Sequence, residues 1–146
     1  MVHDLYQEII LDHSKRPRNC HAMADATGQA DGHNPLCGDK LKLYIKVEDD
    51  IVKDASFVGS GCAISTASAS LMTETLKGKS RAEALELLEK FHDLLTKDTA
   101  VTKELGKLVV FCGVRDYPAR VKCATLAWHT LKTALTENTA APVSTE

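Results

Sequence analysis

From Lys40 onward the chain alternates strictly. Leu41, Leu43, Ile45 and Val47 fall on one side and Lys40, Lys42, Tyr44 and Lys46 on the other, the period of a half-buried strand. Asp49-Asp50 interrupts it as a turn, and Ile51 to Val58 reads as the returning strand of a hairpin. A short edge strand is expected upstream, from Thr27 to His33, after a small-residue linker between Ala22 and Ala26. Elsewhere the period is helical. Leu5, Ile9 and the pair Tyr6/Ile10 mark an amphipathic helix from Asp4 to about Ser14, which Arg16-Pro17-Arg18-Asn19 stops. Gly59-Ser60-Gly61 leads into a helix starting near Cys62 and ending at Lys77-Gly78. Ser80-Arg81-Ala82-Glu83 matches a capping box, opening a helix with its apolar face at Ala84, Leu87/Leu88, Phe91 and Leu94/Leu95. The segment from Thr96 to Val110 is a less regular connector with room for one short helix between Lys103 and Leu108. A last helix follows Tyr117-Pro118, its core stripe being Val121, Ala124, Trp128, Leu131 and Leu135, with Cys123 off that stripe. The expectation is one α+β domain over residues 1–136, with about three antiparallel strands under packed helices. A disordered Thr/Ala/Ser/Pro-rich tail is expected over residues 137–146.

Composition narrows the function classes. The 146 residues are 44% hydrophobic and 26% charged, with a formal charge of −2, ordinary for a globular protein and no argument for a nucleic-acid surface. No apolar run approaches the roughly 20 residues of a membrane span, and Met1-Val2-His3-Asp4 does not read as a secretion signal. A cytoplasmic setting with reduced thiols is therefore expected. Five cysteines, an odd count at irregular spacing, argue against a disulfide framework.

Asn34-Pro35-Leu36-Cys37-Gly38-Asp39 stands at the start of the alternating strand, and Cys62 just past the end of its hairpin partner. Antiparallel pairing brings those two ends together. Cys37 and Asp39, with Gly38 permitting a sharp bend between them, offer a sulfur and an oxygen to one point, and Cys62 and Cys123 are available to complete four ligands. Such a set suits tetrahedral zinc. Buried, inert thiols are the alternative, since free cysteine packs like a small hydrophobe. Placement at element boundaries, beside glycine or charge, favours ligation for Cys37, Cys62 and Cys123. Cys112, next to an apolar run, reads as structural, and Cys20 has only His21 as a nearby partner type. His33 as a base for a nucleophilic Cys37 is a rival enzyme reading, with nothing else pointing to an oxyanion hole. Neither a phosphate-binding glycine loop nor a dinucleotide fingerprint is present.

Tyr6…Asp12-His13…Arg16-Pro17-Arg18-Asn19, Asn34 to Asp39, Gly59 to Ser65 and Pro118 to Ala124, taken together, resemble the U-type iron–sulfur assembly proteins, and within them the zinc-containing SufU branch. The resemblance runs from Asp4 to about Leu135. Lys122 stands where IscU scaffolds carry a histidine before the third family cysteine, and the segment around Thr96 to Gly113 looks longer than theirs. Cys20-His21 stands where relatives usually have a residue followed by glycine after Asn19, and the additional cysteine-pair domain of longer relatives is not found. The resemblance implies an α+β fold with its site at one end of the sheet. It further implies zinc on Cys37, Asp39, Cys62 and Cys123, and a persulfide sulfur accepted by Cys37 from a pyridoxal-phosphate-dependent cysteine desulfurase of the SufS type. The sulfur then passes towards a downstream iron–sulfur assembly scaffold. Arg120 is the candidate for charge support around the thiolates. The competing expectation is a scaffold that assembles a transient [2Fe–2S] cluster on the same cysteines; a purely structural zinc adaptor is a third.

Overall fold

The two-residue turn expected at Asp49-Asp50 forms with both aspartates at positive φ, 53° and 63°. Those dihedrals have the sense that matches the twist of paired strands, and aspartate tolerates them better than most residues. The computed structural model describes residues 2–35, 38–96, 105–136 and 143–144. The turn joins β2 (Asp39–Glu48) to β3 (Ile51–Ser60), and β1 (Gly28–Asn34) pairs antiparallel on the other side of β2. From the stretch expected to be tail, Val143–Ser144 forms a two-residue β4, parallel to Gly32 and His33 of β1. The sheet order is β3-β2-β1-β4.

Leu41, Leu43 and Ile45 of β2 and Ala30 of β1 are buried with Ala55 and Phe57 of β3, whereas Lys40 and Glu48 are exposed. The helices cover the buried side. α2 (Ala63–Leu76) lies against β3, and α4 (Pro118–Thr136) against β1 and β2. α1 (Val2–Lys15) packs on α2, and α3 (Arg81–Thr96) on α4. Small side chains on α2, among them Ala67, Ser68 and Ala69, let α4 come close, and Ser68 Oγ donates to Ala124 O at 2.5 Å. At the start of α3 the capping box closes in both directions. Glu83 N donates to Ser80 Oγ at 3.1 Å, and Ser80 N to Glu83 Oε1 at 2.9 Å.

The connector departs from expectation. A 3₁₀ segment runs from Gly106 to Asp116, later and longer than the short helix expected at Lys103 to Leu108; Lys103 lies outside the described residues. Leu105, Leu108, Phe111 and Val114 are all buried and recur every three residues. That period matches three residues per turn, so tertiary burial sustains a conformation usually found only in short pieces. Cys123 also corrects the reading of α4. It is fully buried in a run continuing through Trp128, so the helix is enclosed on more sides than a stripe of threes and fours allows, while Val121 is only partly buried.

The Arg16 to Asn19 turn is pinned to α2. Arg18 N donates to Ser70 Oγ at 2.8 Å, and the Ser70 hydroxyl is 2.7 Å from Nδ1 of the buried His13. Asn19 donates to Thr73 Oγ1 and accepts from Lys77 Nζ, and Arg18 pairs with Asp12. The Ser70 hydroxyl thus ties both the buried His13 ring and the Arg18 backbone to α2. Burial first, then the nearby Arg18, pushes the His13 pKa below its ordinary 6.5; burial lowers His129 likewise. As pH falls below 6.5 the unfolded chain therefore takes up these protons before the folded one, and stability drops. In chelator-treated protein, Tm is expected to fall from pH 7.5 to 5.5, with a shallower slope in His13→Gln. Parallel slopes would remove His13 from that account.

Candidate metal centre

Asn34 and Asp39 are direct cross-strand partners, joined by residues 35–38, in which Gly38 takes φ +72°. Across the sheet, Lys40 pairs with Ser60, so Asp39 and Gly61 sit side by side just past the last rung of β2 and β3. Gly61 is a glycine for a local reason: a Cβ there would lie 2.7 Å from Asp39 Oδ1 and 3.3 Å from its Cγ. Without it the carboxylate nests against the entrance to α2, where Cys62 N donates to Asp39 Oδ1 at 2.8 Å.

Cys62 is the N-cap of α2. Its extended backbone (φ −72°, ψ 170°) turns the sulfur back to accept from Ser65 N at 3.4 Å. The positive end of the helix dipole thus faces that sulfur. α4 delivers the third group. Cys123, in its second turn, is fully buried and as a thiol donates to Ala119 O at 3.6 Å.

One ligand atom each from Asp39, Cys62 and Cys123 lies within 4.8 Å of the others. Asp39 and Cys123 have no exposure, and Cys62 is partly exposed. In a tetrahedral zinc site the donors stand about 3.5–3.8 Å apart, given metal distances of about 2.0–2.3 Å. The three groups thus need to close by at most about 1.3 Å to grip one ion. A buried carboxylate and a buried sulfur beside a second, partly exposed sulfur are costly as anions without a cation between them, and a dication removes that cost. The donor set fits zinc: soft sulfurs with one hard oxygen.

Cys37, the remaining sequence candidate, lies outside the described residues. Arg120 is exposed on the first turn of α4 and lines a groove of about 460 Å³ with Tyr6, Ile10, Ile64, Val114 and Tyr117. Cys20 is exposed and Cys112 partly buried against the core, and neither joins the cluster. His33, the rival base, borders a cleft on the outer sheet face with Asp31, Lys40 and Lys42, whereas its neighbour Asn34 is buried on the inner side. The alternation of β1 separates that imidazole from the cysteine cluster. Asn34 was not singled out by spacing for any role. The available signal was its position: on β1 it shares the inward side with Ala30 and Gly32, where a polar residue needs a partner.

Among the described residues no helix is long and apolar enough to cross a membrane. The chain is 44% identical over 129 residues to the zinc-dependent sulfurtransferase SufU of Bacillus subtilis, covering 88% of this chain and 87% of that protein. It is 42% identical over 135 residues to the iron-sulfur cluster assembly scaffold protein IscU of Streptococcus pyogenes serotype M1, covering 92% and 84%. The crystal structure described as that of an iron-sulfur cluster assembly scaffold protein for the SUF system, SufU of Fervidobacterium islandicum AW-1, superposes with a TM-score of 0.86 at 37% identity, covering 92% of this chain and 98% of that one. The model of the NifU-like N terminal domain matches residues 5–138, and the chain belongs to that family.

Proposed function

We propose that this protein works in iron–sulfur cluster assembly as a zinc-dependent sulfur acceptor, with Cys37, Asp39, Cys62 and Cys123 as the ligands. The observation that carries this reading is the convergence of Asp39, Cys62 and Cys123 from three different elements onto one point. Cys37 is two positions from Asp39, and chain connectivity alone keeps it within about 7 Å of that residue's backbone. Bound zinc would hold the cysteine sulfurs ionised and shielded.

The partner is a pyridoxal-phosphate-dependent cysteine desulfurase of the SufS type, which presents a persulfide. The Cys37 thiolate attacks the terminal sulfur of that persulfide. A new S–S bond forms on Cys37, the old S–S bond breaks, and the electron pair leaves with the desulfurase cysteine as thiolate. The sulfur, now a persulfide on Cys37, passes to a downstream assembly scaffold in a cytoplasmic setting. Asp39 would be a fixed donor to the ion, because both its oxygens are hydrogen-bonded by the fold. Arg120, three positions ahead of Cys123 on α4, offsets part of the site's negative charge.

The alternative is a scaffold that builds a [2Fe–2S] cluster on the same cysteines, favoured by the name of the Streptococcus relative. Lys122 favours the first reading, since a protonated amine is a poor ligand in the place where a scaffold histidine would stand. Labelled sulfur delivered from cysteine by a desulfurase decides the acceptor. Label should appear on the wild type and on Cys20→Ala and fall to background on Cys37→Ala. Undiminished label on Cys37→Ala would contradict the assignment.

A further inference from the structure

Asn34 touches two of the clustered groups and ligates nothing itself. Its Nδ2 donates to Asp39 Oδ2 at 3.3 Å and to Cys123 Sγ at 3.5 Å, and the side chain is fully buried. The amide orientation follows from chemistry: reversed, it would set a carbonyl oxygen against a carboxylate oxygen and a sulfur. Keeping the donors there leaves Asn34 Oδ1 buried and without a partner among the described residues. Buried polar atoms in that state are rare. The amide nitrogen thus faces Asp39 and Cys123, while among the described residues its own acceptor has no partner.

We infer that Asn34 is a positioning residue of the metal centre, orienting Asp39 and Cys123 and moderating the electron donation of the Cys123 sulfur through the N–H···S bond. The inference rests on the metal-site reading above. An N–H donor draws density from a thiolate, so its removal makes the sulfur a stronger donor and lowers the energy of sulfur-to-metal charge transfer. Partners of metal ligands also hold them in place, and their loss typically weakens metal binding about 10- to 100-fold.

Cobalt(II) added alone to metal-free protein tests this, because its sulfur charge-transfer band reports the thiolates directly. Asn34→Ala should move that band to longer wavelength and weaken cobalt retention against a chelator about 10- to 100-fold. Asn34→Leu, nearly the same size and uncharged, also lacks the donors and should move both readouts in the same direction; it decides the matter if the alanine variant does not fold. An unmoved band with weakened retention would mean a merely structural role and overturn the inference, as would two unchanged readouts. If the wild type itself shows no sulfur-to-cobalt band, the metal-site reading fails and this inference with it. A wild-type band that both variants reproduce sinks the Asn34 role alone.

Discussion

Replacing Cys123 with alanine is expected to lower zinc affinity by about 10²- to 10³-fold. Structural zinc sites contribute about 10–16 kcal/mol in total, so each of four ligands carries about 2.5–4 kcal/mol, and each 1.4 kcal/mol is tenfold. The fold should survive, because alanine is a good helix former and two of the thiol's contacts in the metal-free state are long, a 3.6 Å donation to Ala119 O and a 3.5 Å acceptance from Asn34. Cys20→Ala, which changes an exposed thiol away from the cluster, is the control and should retain zinc as the wild type does. Competition with a chromogenic chelator measures both. Wild-type retention in Cys123→Ala would remove the residue from the ligand set, whatever its distance from Asp39 and Cys62.

The largest effect on stability is expected at Trp128. Its ring stacks on Phe91 at 4.6 Å with planes 20° apart, and Phe91 meets Phe111 edge-on at 5.7 Å. The indole N–H donates to Ser68 Oγ at 3.1 Å, so α2, α3, α4 and the 3₁₀ segment all converge on this cluster. Trp128→Ala should cost about 3–5 kcal/mol, through lost burial and an open cavity. At about 2–4 °C per kcal/mol for a chain this long, Tm should drop by roughly 10 °C. Trp128→Phe keeps much of the stacking but removes the donor and one ring of the indole; Ser68 retains its bond to Ala124, so a loss of about 1–2 kcal/mol is expected. Thermal unfolding of the metal-free protein separates the two. A Tm within 2–3 °C of wild type for the alanine variant (about 1 kcal/mol) would mean that the cluster repacks.

Periodicity carried the strand and helix assignments where one face is buried and the other wet, as in β2 and α3. It failed where burial surrounds an element. The run from Cys123 to Trp128 has no polar face to reveal its period, and the 3₁₀ segment hides a three-residue repeat behind an irregular appearance. The meeting of Asp39 and Cys62 was legible because a hairpin with a two-residue turn returns the chain to its starting end. That Cys123 would join them was not legible from spacing. It depends on how α4 crosses α2, which small residues such as Ala67 and Ser68 permit but do not announce. The motif around Asn34 was visible; its role was not. A hydrogen bond to a sulfur 89 positions away leaves no trace in local pattern.

X-ray absorption at the metal edge of protein purified without oxygen tests the central claim most directly, because one spectrum reports both the element and its donors. The account predicts a zinc edge, about one ion per chain, with three sulfurs near about 2.3 Å and one oxygen near about 2.0 Å. An iron edge with bridging sulfide would contradict it and make the centre a site of cluster assembly.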